Sequence, residues 1–462
     1  MADVLKTMFR EYDIRGLVND QELNPTTVSL IGKAIAAYFR SLNIKQATVG
    51  HDCRESSPLF NQIIAKSLNE SGIDVIDIGM VLVPMFYYSQ YLFSYQAGVY
   101  TSASHNPAEW NGFKITKDYS TTLLGEEIRL LYQIIQEGKF VQGEGKYEKK
   151  EVKEAYIKDL LNKVGRPAKK LKVVIDCGNG TAGVIAPEVF RRAGFEVVEL
   201  YCNIDPLFPN HDPNPSVPEN KKDLAAIVLN ENADAGLAFD TDGDRLGVVD
   251  EIGNIIEADQ YLILLARQIL EEKKGEKIIF DVKATQALFD DIKTHQGVPL
   301  MWKTGHSYIK AKLKKENAAL AGEASGHIYY REQYGFDDAV FAALKLAIYL
   351  SSKAETFSQL LDTLPKYIST PVFNVDCSDE AKYKVVDQLT TELKKEYQVI
   401  DINGARVQFS NGGWGLVRAS SNLPVLVLRF EAKTKEELDE IVEIFKEKFT
   451  HFPQIGKEWT HG

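Results

Sequence analysis

Short apolar stretches alternate with longer amphipathic stretches through most of the chain, as is typical of an α/β protein whose parallel strands are joined by crossover helices. One local order occurs three times: a predicted helix, a glycine and then a predicted strand. The three copies are residues 57–72 before 74–78, 181–194 before 195–200, and 285–297 before 298–302. Since a glycine after a helix supplies a left-handed cap, each copy is expected to form half of a βαβ unit. The pattern predicts three similar α/β domains with mixed sheets.

The C-terminal part of the chain has a different pattern. It predicts a strand over residues 370–377, a helix over 380–397, strands over 405–409 and 424–430, and a final amphipathic helix over 435–449. Strands clustered between two helices indicate a smaller α+β domain.

The length of 462 residues allows roughly three domains at about 150 residues each, and the change of pattern adds a smaller fourth. The charged segment 143–172 is the predicted first linker, and residues 250–254 resemble a hairpin turn near a second boundary. The predicted domains are therefore residues 1–150, 151–255, 256–368 and 369–462, arranged around a central cleft.

Composition narrows the classes of function. Asp and Glu number 65 against 54 Lys and Arg, and the net charge of −11 argues against a general nucleic-acid or membrane-surface binder. The four cysteines are widely spaced without a CxxC pair, and no leader or membrane-length apolar run is evident. We expect a reduced, cytoplasmic protein that is a monomer or a dimer, with no nucleic-acid or membrane partner.

The segment 101–107, Thr-Ser-Ala-Ser-His-Asn-Pro, follows a predicted strand. Small hydroxyl residues before Asn-Pro are typical of an exposed turn whose backbone N–H groups can face an anion. A Ser-His hydrolase is disfavoured, because adjacent residues of an extended segment point in opposite directions and no GxSxG elbow is present. An ordinary Ser/Asn turn remains an alternative.

Asp240, Asp242 and Asp244 follow another apolar strand at alternate positions. Three neighbouring carboxylates repel one another, and a hard divalent cation such as Mg²⁺ relieves that repulsion, with Arg245 available for phosphate. An EF-hand loop would have Glu251 at its twelfth position, but its sixth position requires Gly, where this chain has Arg245. A solvated acidic turn remains the plainer alternative.

Three further polar loops are candidates for ligand binding. Residues 322–327 combine two glycines with carboxylate, hydroxyl and imidazole groups suited to sugar hydroxyls. Residues 418–424 combine an arginine, two serines and an asparagine, which suit a phosphate. Residues 178–183 match GxGxxG, with Glu199 near the distance of a ribose contact, but a tight strand-to-helix turn is favoured over a dinucleotide site.

Together with residues 9–16, these segments make the chain resemble the α-D-phosphohexomutases from end to end, and most of all their phosphomannomutase/phosphoglucomutase branch. The resemblance implies four domains around a central cleft. It implies catalytic roles for Ser104, Lys114, His306 and Arg15, with Ser104 as the phosphorylated serine, and Mg²⁺ ligation by Ser104, Asp240, Asp242 and Asp244. Substrate contacts are implied for Tyr12, His105, Arg245, Lys283, Gly305, Glu323, Ser325 and His327, and phosphate contacts for Arg418, Ser420, Ser421 and Asn422.

The implied activity is the interconversion of hexose 1-phosphate and hexose 6-phosphate, with mannose or glucose as the sugar, through phosphoserine and a hexose 1,6-bisphosphate that also serves as activator. Lys114 and His306 are the implied proton-transfer groups, and Lys303 is expected to join the other cations in the cleft. Two alternatives stay open. One is phosphoglucosamine mutase, whose sugar loop usually has Gln where this chain has Ala324. The other is a catalytically silent sugar-phosphate-binding protein.

Overall fold

The computed structural model describes residues 4–421 and 423–461. The first domain has a seven-stranded mixed sheet in which four strands are parallel and lie in the order β7-β3-β2-β4. Its strands are β1 Ile14–Leu17, β2 Gln46–His51, β3 Asp74–Met80, β4 Ala97–Thr101, β5 Trp110–Lys117, β6 Thr121–Thr122 and β7 Tyr147–Lys149, and its helices are α1 Pro25–Ser41, α2 Ser57–Asn69, α3 Val83–Phe93 and α4 Gly125–Glu137.

The second and third domains are smaller versions of the same sheet. The second contains α5 Lys153–Val164, β8 Lys172–Asp176, α6 Ala186–Ala193, β9 Glu196–Leu200, α7 Lys222–Glu231, β10 Ala235–Phe239, β11 Leu246–Asp250 and β12 Ile255–Ile256. The third contains α8 Ala258–Glu272, β13 Lys277–Asp281, α9 Gln286–Thr294, β14 Val298–Trp302, α10 His306–Glu316, β15 Leu320–Gly322, β16 Ile328–Tyr330, α11 Ala339–Ser351 and α12 Phe357–Asp362.

The three sheets share one arrangement. Each contains a run of four strands, in the orders β3-β2-β4-β5, β9-β8-β10-β11 and β14-β13-β15-β16. The first three strands of each run are parallel to one another, and the fourth pairs antiparallel with the third. The loops before β5, β11 and β16 are therefore equivalent. These are the loops that carry the serine motif, the aspartate motif and the predicted sugar-binding motif, so the repeated fold places all three at corresponding positions.

The fourth domain is an α+β unit with its own sheet, in the order β19-β20-β21-β22-β18-β23, while β17 pairs with β22. Its elements are β17 Ile368–Ser369, β18 Phe373–Asp376, α13 Lys382–Leu393, β19 Gln398–Ile400, β20 Ala405–Gln408, β21 Trp414–Ala419, β22 Val425–Ala432, α14 Lys435–Phe449 and β23 Trp459–His461. The loop between β21 and β22 carries the predicted phosphate motif.

The buried apolar side chains form separate clusters of unequal size. The largest apolar cluster runs from Ile76 to Leu364 and joins the first three domains, whereas the fourth domain has a separate core between its sheet and helices α13 and α14. Within the part of the chain that the structure describes, no helix is both long enough and apolar enough to span a bilayer.

The predicted fold class is confirmed, and three local expectations are wrong. Segment 143–172 is not a plain linker, because it supplies β7 to the first sheet and contains α5. The helix expected from residue 181 begins with a short 3₁₀ turn, and α6 itself starts at Ala186. Gly194 has the left-handed conformation expected of a glycine after a helix. Before β14, however, the left-handed residue is Gln296 and not the expected Gly297.

Candidate active site

A cleft of about 170 Å³ lies where loops of all four domains meet. It collects most of the side chains proposed from the sequence, and its lining adds Asp13 and Thr304. The lining residues are Tyr12, Asp13, Arg15, Ser104, His105, Lys114, Arg245, Lys283, Thr304, Gly305, His306, Glu323, Ser325, His327, Arg418, Ser420 and Ser421. Lys303 does not line the cleft, and its ammonium lies over the ring of Tyr308 instead. Asn422 lies outside the described residues.

Ser104 is held in an unusual backbone conformation at the floor of this cleft. Its φ of 51° is left-handed, which is uncommon for a residue other than glycine and is often found at functional sites. The Oγ atom is 3.0 Å from Asp240 Oδ2 and 3.2 Å from His105 Nδ1. The expectation that Ser104 and His105 point apart is therefore wrong, because this turn is not extended.

Two arginines from the first domain hold the serine loop in shape. The buried Arg54 donates to the carbonyls of Ser104, Asn106 and Pro107 at 2.6 Å each. Arg15 donates to Ala103 O at 3.1 Å and to the Asn106 side chain at 2.6 Å. Arg54 was missed from the sequence, where a buried arginine carries no signal that distinguishes it from an exposed one.

The three aspartates surround one point next to Ser104. One carboxylate oxygen from each lies within 4.8 Å of the others. Lys114 fills part of the space between them, with its Nζ 2.7 Å from Asp242 Oδ2 and 2.5 Å from Asp244 Oδ2. Although burial lowers the pKa of Lys114, these two carboxylates raise it well above its usual range, so its side chain remains an ammonium.

This cluster fits a hard divalent cation. Asp242 Oδ1 and Asp244 Oδ1 are buried without a hydrogen-bond partner, and carboxylate oxygens are the ligands that Mg²⁺ prefers. Burial and the charges of Asp244 and Asp242 also raise the pKa of Asp240 well above its usual range. The flanking elements are strands β10 and β11, which rules out the helix-flanked EF-hand.

Glu323 is the polar centre of the third-domain loop. Its carboxylate accepts hydrogen bonds from the Tyr329 hydroxyl at 2.6 Å and from the backbone N–H of Gly305 at 2.7 Å. Burial, with a smaller contribution from the Asp281 charge, raises its pKa. Ser325 is tied to the second domain, since its carbonyl accepts from Ser216.

Two histidines of the third domain lie near each other, with ring centroids 6.1 Å apart. His327 Nε2 accepts from Arg245 Nε at 3.0 Å, and its Nδ1 is 3.1 Å from Asp337 Oδ2. Since Nε2 accepts from Arg245, Nδ1 is the ring nitrogen that carries a proton. Burial and the charge of Lys310 lower the pKa of His306 well below its usual range, so the His306 imidazole is neutral.

The fourth domain closes the cleft with Arg418 and the serines beside it. Ser421 Oγ lies 3.0 Å from the Tyr12 hydroxyl and 3.4 Å from Arg418 Nη2, so the first and fourth domains touch across the cleft. Arg418 Nε is buried without a hydrogen-bond partner. Because Arg418 lines the cleft, its guanidinium suits an incoming anion.

The GxGxxG segment lies apart from the cleft lining. Its turn supports the aspartate loop from behind, because Thr181 N donates to Thr241 O at 2.9 Å, and a Cβ on Gly180 would lie 2.8 Å from Thr241 Cα. The glycines thus permit close backbone packing, in agreement with the favoured interpretation as a structural turn.

Comparison with known proteins gives one consistent result. Families described as phosphoglucomutase/phosphomannomutase α/β/α domains I, II and III match residues 6–142, 154–253 and 257–367, and the C-terminal domain of the same group matches 373–448. A phosphomannomutase/phosphoglucomutase of Pseudomonas putida is 44% identical over 95% of each chain, and a phosphoglucomutase of Neisseria gonorrhoeae is 40% identical over 98% of this chain and 99% of its own. A crystal structure of a phosphoglucomutase/phosphomannomutase family protein from Burkholderia thailandensis is 37% identical with a TM-score of 0.91, covering 97% of this chain and 98% of its own.

Proposed function

The chain belongs to the phosphoglucomutase/phosphomannomutase family, and from that premise we propose that it interconverts the 1- and 6-phosphates of glucose and mannose. The observation that carries the proposal is the meeting, around one cleft, of a buried serine in the cleft lining, an aspartate triad beside it and an arginine loop from the fourth domain. A serine alone would suit many enzymes. A serine beside a triad of aspartates and opposite a second phosphate site suits phosphoryl transfer between two ends of one sugar.

In this mechanism Ser104 carries the phosphoryl group at the start of the cycle. The free hydroxyl of a hexose monophosphate attacks phosphorus, the bond from phosphorus to Ser104 Oγ breaks, and a hexose 1,6-bisphosphate forms. After the sugar turns over in the cleft, its other phosphoryl group returns to Ser104. The fixed left-handed backbone at Ser104 keeps Oγ in place for both transfers, which supports this assignment.

The hydroxyl proton must leave during attack, and His306 and Lys114 are the proposed proton-transfer groups. His306 is the stronger candidate for a base, because burial and Lys310 keep its imidazole neutral. Lys114, held as an ammonium between two aspartates, would chiefly stabilise negative charge on the transferring group. Arg15 and Arg245 would support the same charge.

Asp240, Asp242, Asp244 and Ser104 would hold Mg²⁺, which supplies charge neutralisation at the phosphoryl group when bound. Glu323, Ser325 and His327 would bind sugar hydroxyls, with Gly305, Tyr12, His105 and Lys283 beside them. Arg418, Ser420, Ser421 and Asn422 would hold the phosphate that is not reacting. The sugar must bind in two orientations, one before and one after the bisphosphate turns over, so these contacts need to suit both.

Further parts of the proposal concern the protein around the site. We place its domains at residues 1–150, 151–255, 256–368 and 369–462, and expect a cytoplasmic monomer or dimer that requires hexose 1,6-bisphosphate as activator. Ala324 favours the neutral hexoses over glucosamine. A silent binding protein is disfavoured, because such a protein would not need Ser104 beside the aspartate triad.

The test is turnover of the purified chain with glucose 1-phosphate, Mg²⁺ and a trace of glucose 1,6-bisphosphate, followed as glucose 6-phosphate. Mannose 1-phosphate and glucosamine 1-phosphate are assayed in parallel. Ser104→Ala should reduce turnover to background and prevent phosphorylation of the chain, whereas the exposed Ser41→Ala should leave both unchanged. A folded wild-type chain that is inert toward all three sugars would contradict the proposal.

A further inference from the structure

Two cysteines lie at the ends of neighbouring parallel strands in the second domain. Cys177 directly follows β8, and Cys202 comes soon after β9. Both thiols are free, and their sulfur atoms lie 3.3 Å apart. Since a disulfide has an S–S length of about 2.05 Å, the sulfurs need to approach by only a little more than ~1 Å. We propose that this pair is a site of reversible oxidation, at which a peroxide closes an intramolecular disulfide.

The two thiols differ in access. Cys177 is fully buried, whereas Cys202 is partly exposed. Burial, with the neighbouring Cys202 thiol, raises the pKa of Cys177 well above its usual range, so Cys177 is the less reactive of the two. Cys202 therefore meets the oxidant first, and Cys177 resolves the product.

The chemistry needs no group beyond the two thiols and the peroxide. Cys202 Sγ attacks one oxygen of hydrogen peroxide, the O–O bond breaks, and a sulfenic acid and one water form. Cys177 Sγ then attacks Cys202 Sγ, the S–S bond forms, and the sulfenic hydroxyl leaves as a second water with the Cys177 proton. Both sulfurs are oxidised and both peroxide oxygens are reduced.

Closure would act on the cation site through the turn that starts at Cys177. Gly180 N donates to Cys177 O at 2.7 Å, and the next residue, Thr181, donates its N–H to Thr241 O in the aspartate loop. Gly180 packs directly on Thr241. Drawing Cys177 toward Cys202 shifts this support, and displacement of a catalytic group by ~1 Å can cost up to 10²-fold in rate. We therefore expect the oxidised form to be less active.

The experiment treats the full chain with hydrogen peroxide and measures both the cross-link and hexose phosphate mutase turnover. Trypsin can cleave between the cysteines at Arg191 and Arg192, so a disulfide joins two otherwise separate peptides in a mass spectrum without reductant. In the wild type we expect this cross-linked pair, a fall in turnover of about tenfold, and recovery of both with dithiothreitol.

Cys202→Ser keeps a donor at this position and should neither cross-link nor lose turnover under the same treatment. Cys177→Ala provides a second variant with the same expectation. Cys377→Ser, in the core of the fourth domain, is the matched control and should behave as the wild type. Absence of the 177–202 cross-link in wild type would overturn the site, and a cross-link with unchanged turnover would overturn its effect on activity. The turnover arm depends on the proposed function, but the mass measurement decides the site even if that function fails.

Discussion

Gly305 shows how one residue shapes the cleft. Its φ of +124° lies in the region that favours glycine, and its N–H fixes Glu323 at 2.7 Å. A Cβ at this position would lie 2.5 Å from the Tyr12 hydroxyl, which itself bonds to Ser421. Gly305→Ala should therefore displace both Tyr12 and Glu323, and turnover should fall by at least about tenfold. Steady-state assays of the variant measure this.

Gly275→Ala is the matched control for backbone strain. Gly275 also has a positive φ, of +78°, but a Cβ there meets no atom within 4 Å. Gly275→Ala should lose about 1 kcal/mol of stability from its positive-φ backbone alone, Gly305→Ala should lose more because of the contact with Tyr12, and only Gly305→Ala should lose turnover. Equal activity in the two variants would show that contact with Tyr12 does not matter.

The sequence predicted the side chains of the cleft better than the residues that support them. Ser104, the three aspartates, Glu323 and Arg418 stand in short polar loops after apolar strands, where local pattern is informative. Arg54 acts through contacts with the serine loop fifty residues further along the chain, and Asp337 acts through the ring of His327. No local pattern marks such residues, since their role depends on tertiary packing.

At the scale of elements, the fourth domain is fastened to the third by two buried arginines. Arg406 donates to the carbonyls of Val282 and Ala284, and Arg429 donates to the carbonyl of Lys283, all at 2.7 Å. Three consecutive carbonyls of the loop after β13 are thus held from the other domain. The Lys283 side chain from this loop lines the cleft.

Arg429→Met should disturb both stability and substrate binding. It removes the bond to Lys283 O and leaves Asp259, paired with Arg429 at 2.8 Å, as a buried carboxylate without its cation. Breaking such a pair costs about 3–5 kcal/mol. We expect a lower melting temperature and a raised KM for the hexose phosphate, because Lys283 and the fourth-domain loop lose their common anchor.

Arg331→Met is the matched control, since Arg331 is partly exposed and pairs with Glu276 within the third domain. It should change KM little. If Arg429→Met binds substrate as tightly as the wild type, the arginine contacts serve stability alone.

His211 fixes the long loop after β9 to the end of β8 and makes that attachment sensitive to pH. Its Nε2 is 3.1 Å from Asp176 Oδ2. Burial lowers the pKa of His211. The hydrogen bond to Asp176 and the negative charge of Asp176 together raise the pKa by more than burial lowers it, so the net shift is upward. The stability gained from protonation is then complete below about pH 6.5 and is lost as pH rises through the folded-state pKa.

His211→Gln should therefore cost more stability at about pH 6 than at about pH 9. Thermal unfolding of the variant and the wild type at both pH values measures the difference. His451→Gln, at an exposed position, is the control. A cost that is equal at the two pH values would show that the pair is not linked to proton binding.

The elements themselves were largely predictable, whereas their pairing was not. The sequence pattern identified β3, β9 and β14, because each is a short, largely apolar segment that follows a predicted helix. Strand β7 was missed because all three of its residues are exposed at a sheet edge, so it has no apolar pattern. The common strand order of the three sheets depends on contacts distant in sequence, which periodicity does not report.

At the scale of the whole molecule, an acidic protein concentrates its cations at one place. The chain has a net charge of −11, yet Arg15, Lys114, Arg245, Lys283 and Arg418 all line the cleft between the domains. All four domains contribute, with Arg15 and Lys114 from the first and one cation from each of the others, so the positive site exists only when the domains are assembled. This distribution favours a phosphorylated small molecule over an extended polyanion, which the acidic exterior would repel.

The gathered charges also predict how salt affects the proposed reaction. A phosphosugar approaching the cleft is attracted over a distance set by the Debye length, which shortens from roughly 20 Å at low salt to about 6 Å near 0.3 M. Raising KCl over this range at constant Mg²⁺ should increase KM several-fold, while kcat changes little because groups inside the closed cleft are poorly screened. A neutral osmolyte at matched osmolality should leave KM unchanged, which separates screening from a general solvent effect. If KM proves independent of salt while turnover is normal, the arginines and lysines of the cleft act only at contact distance and do not draw the substrate in.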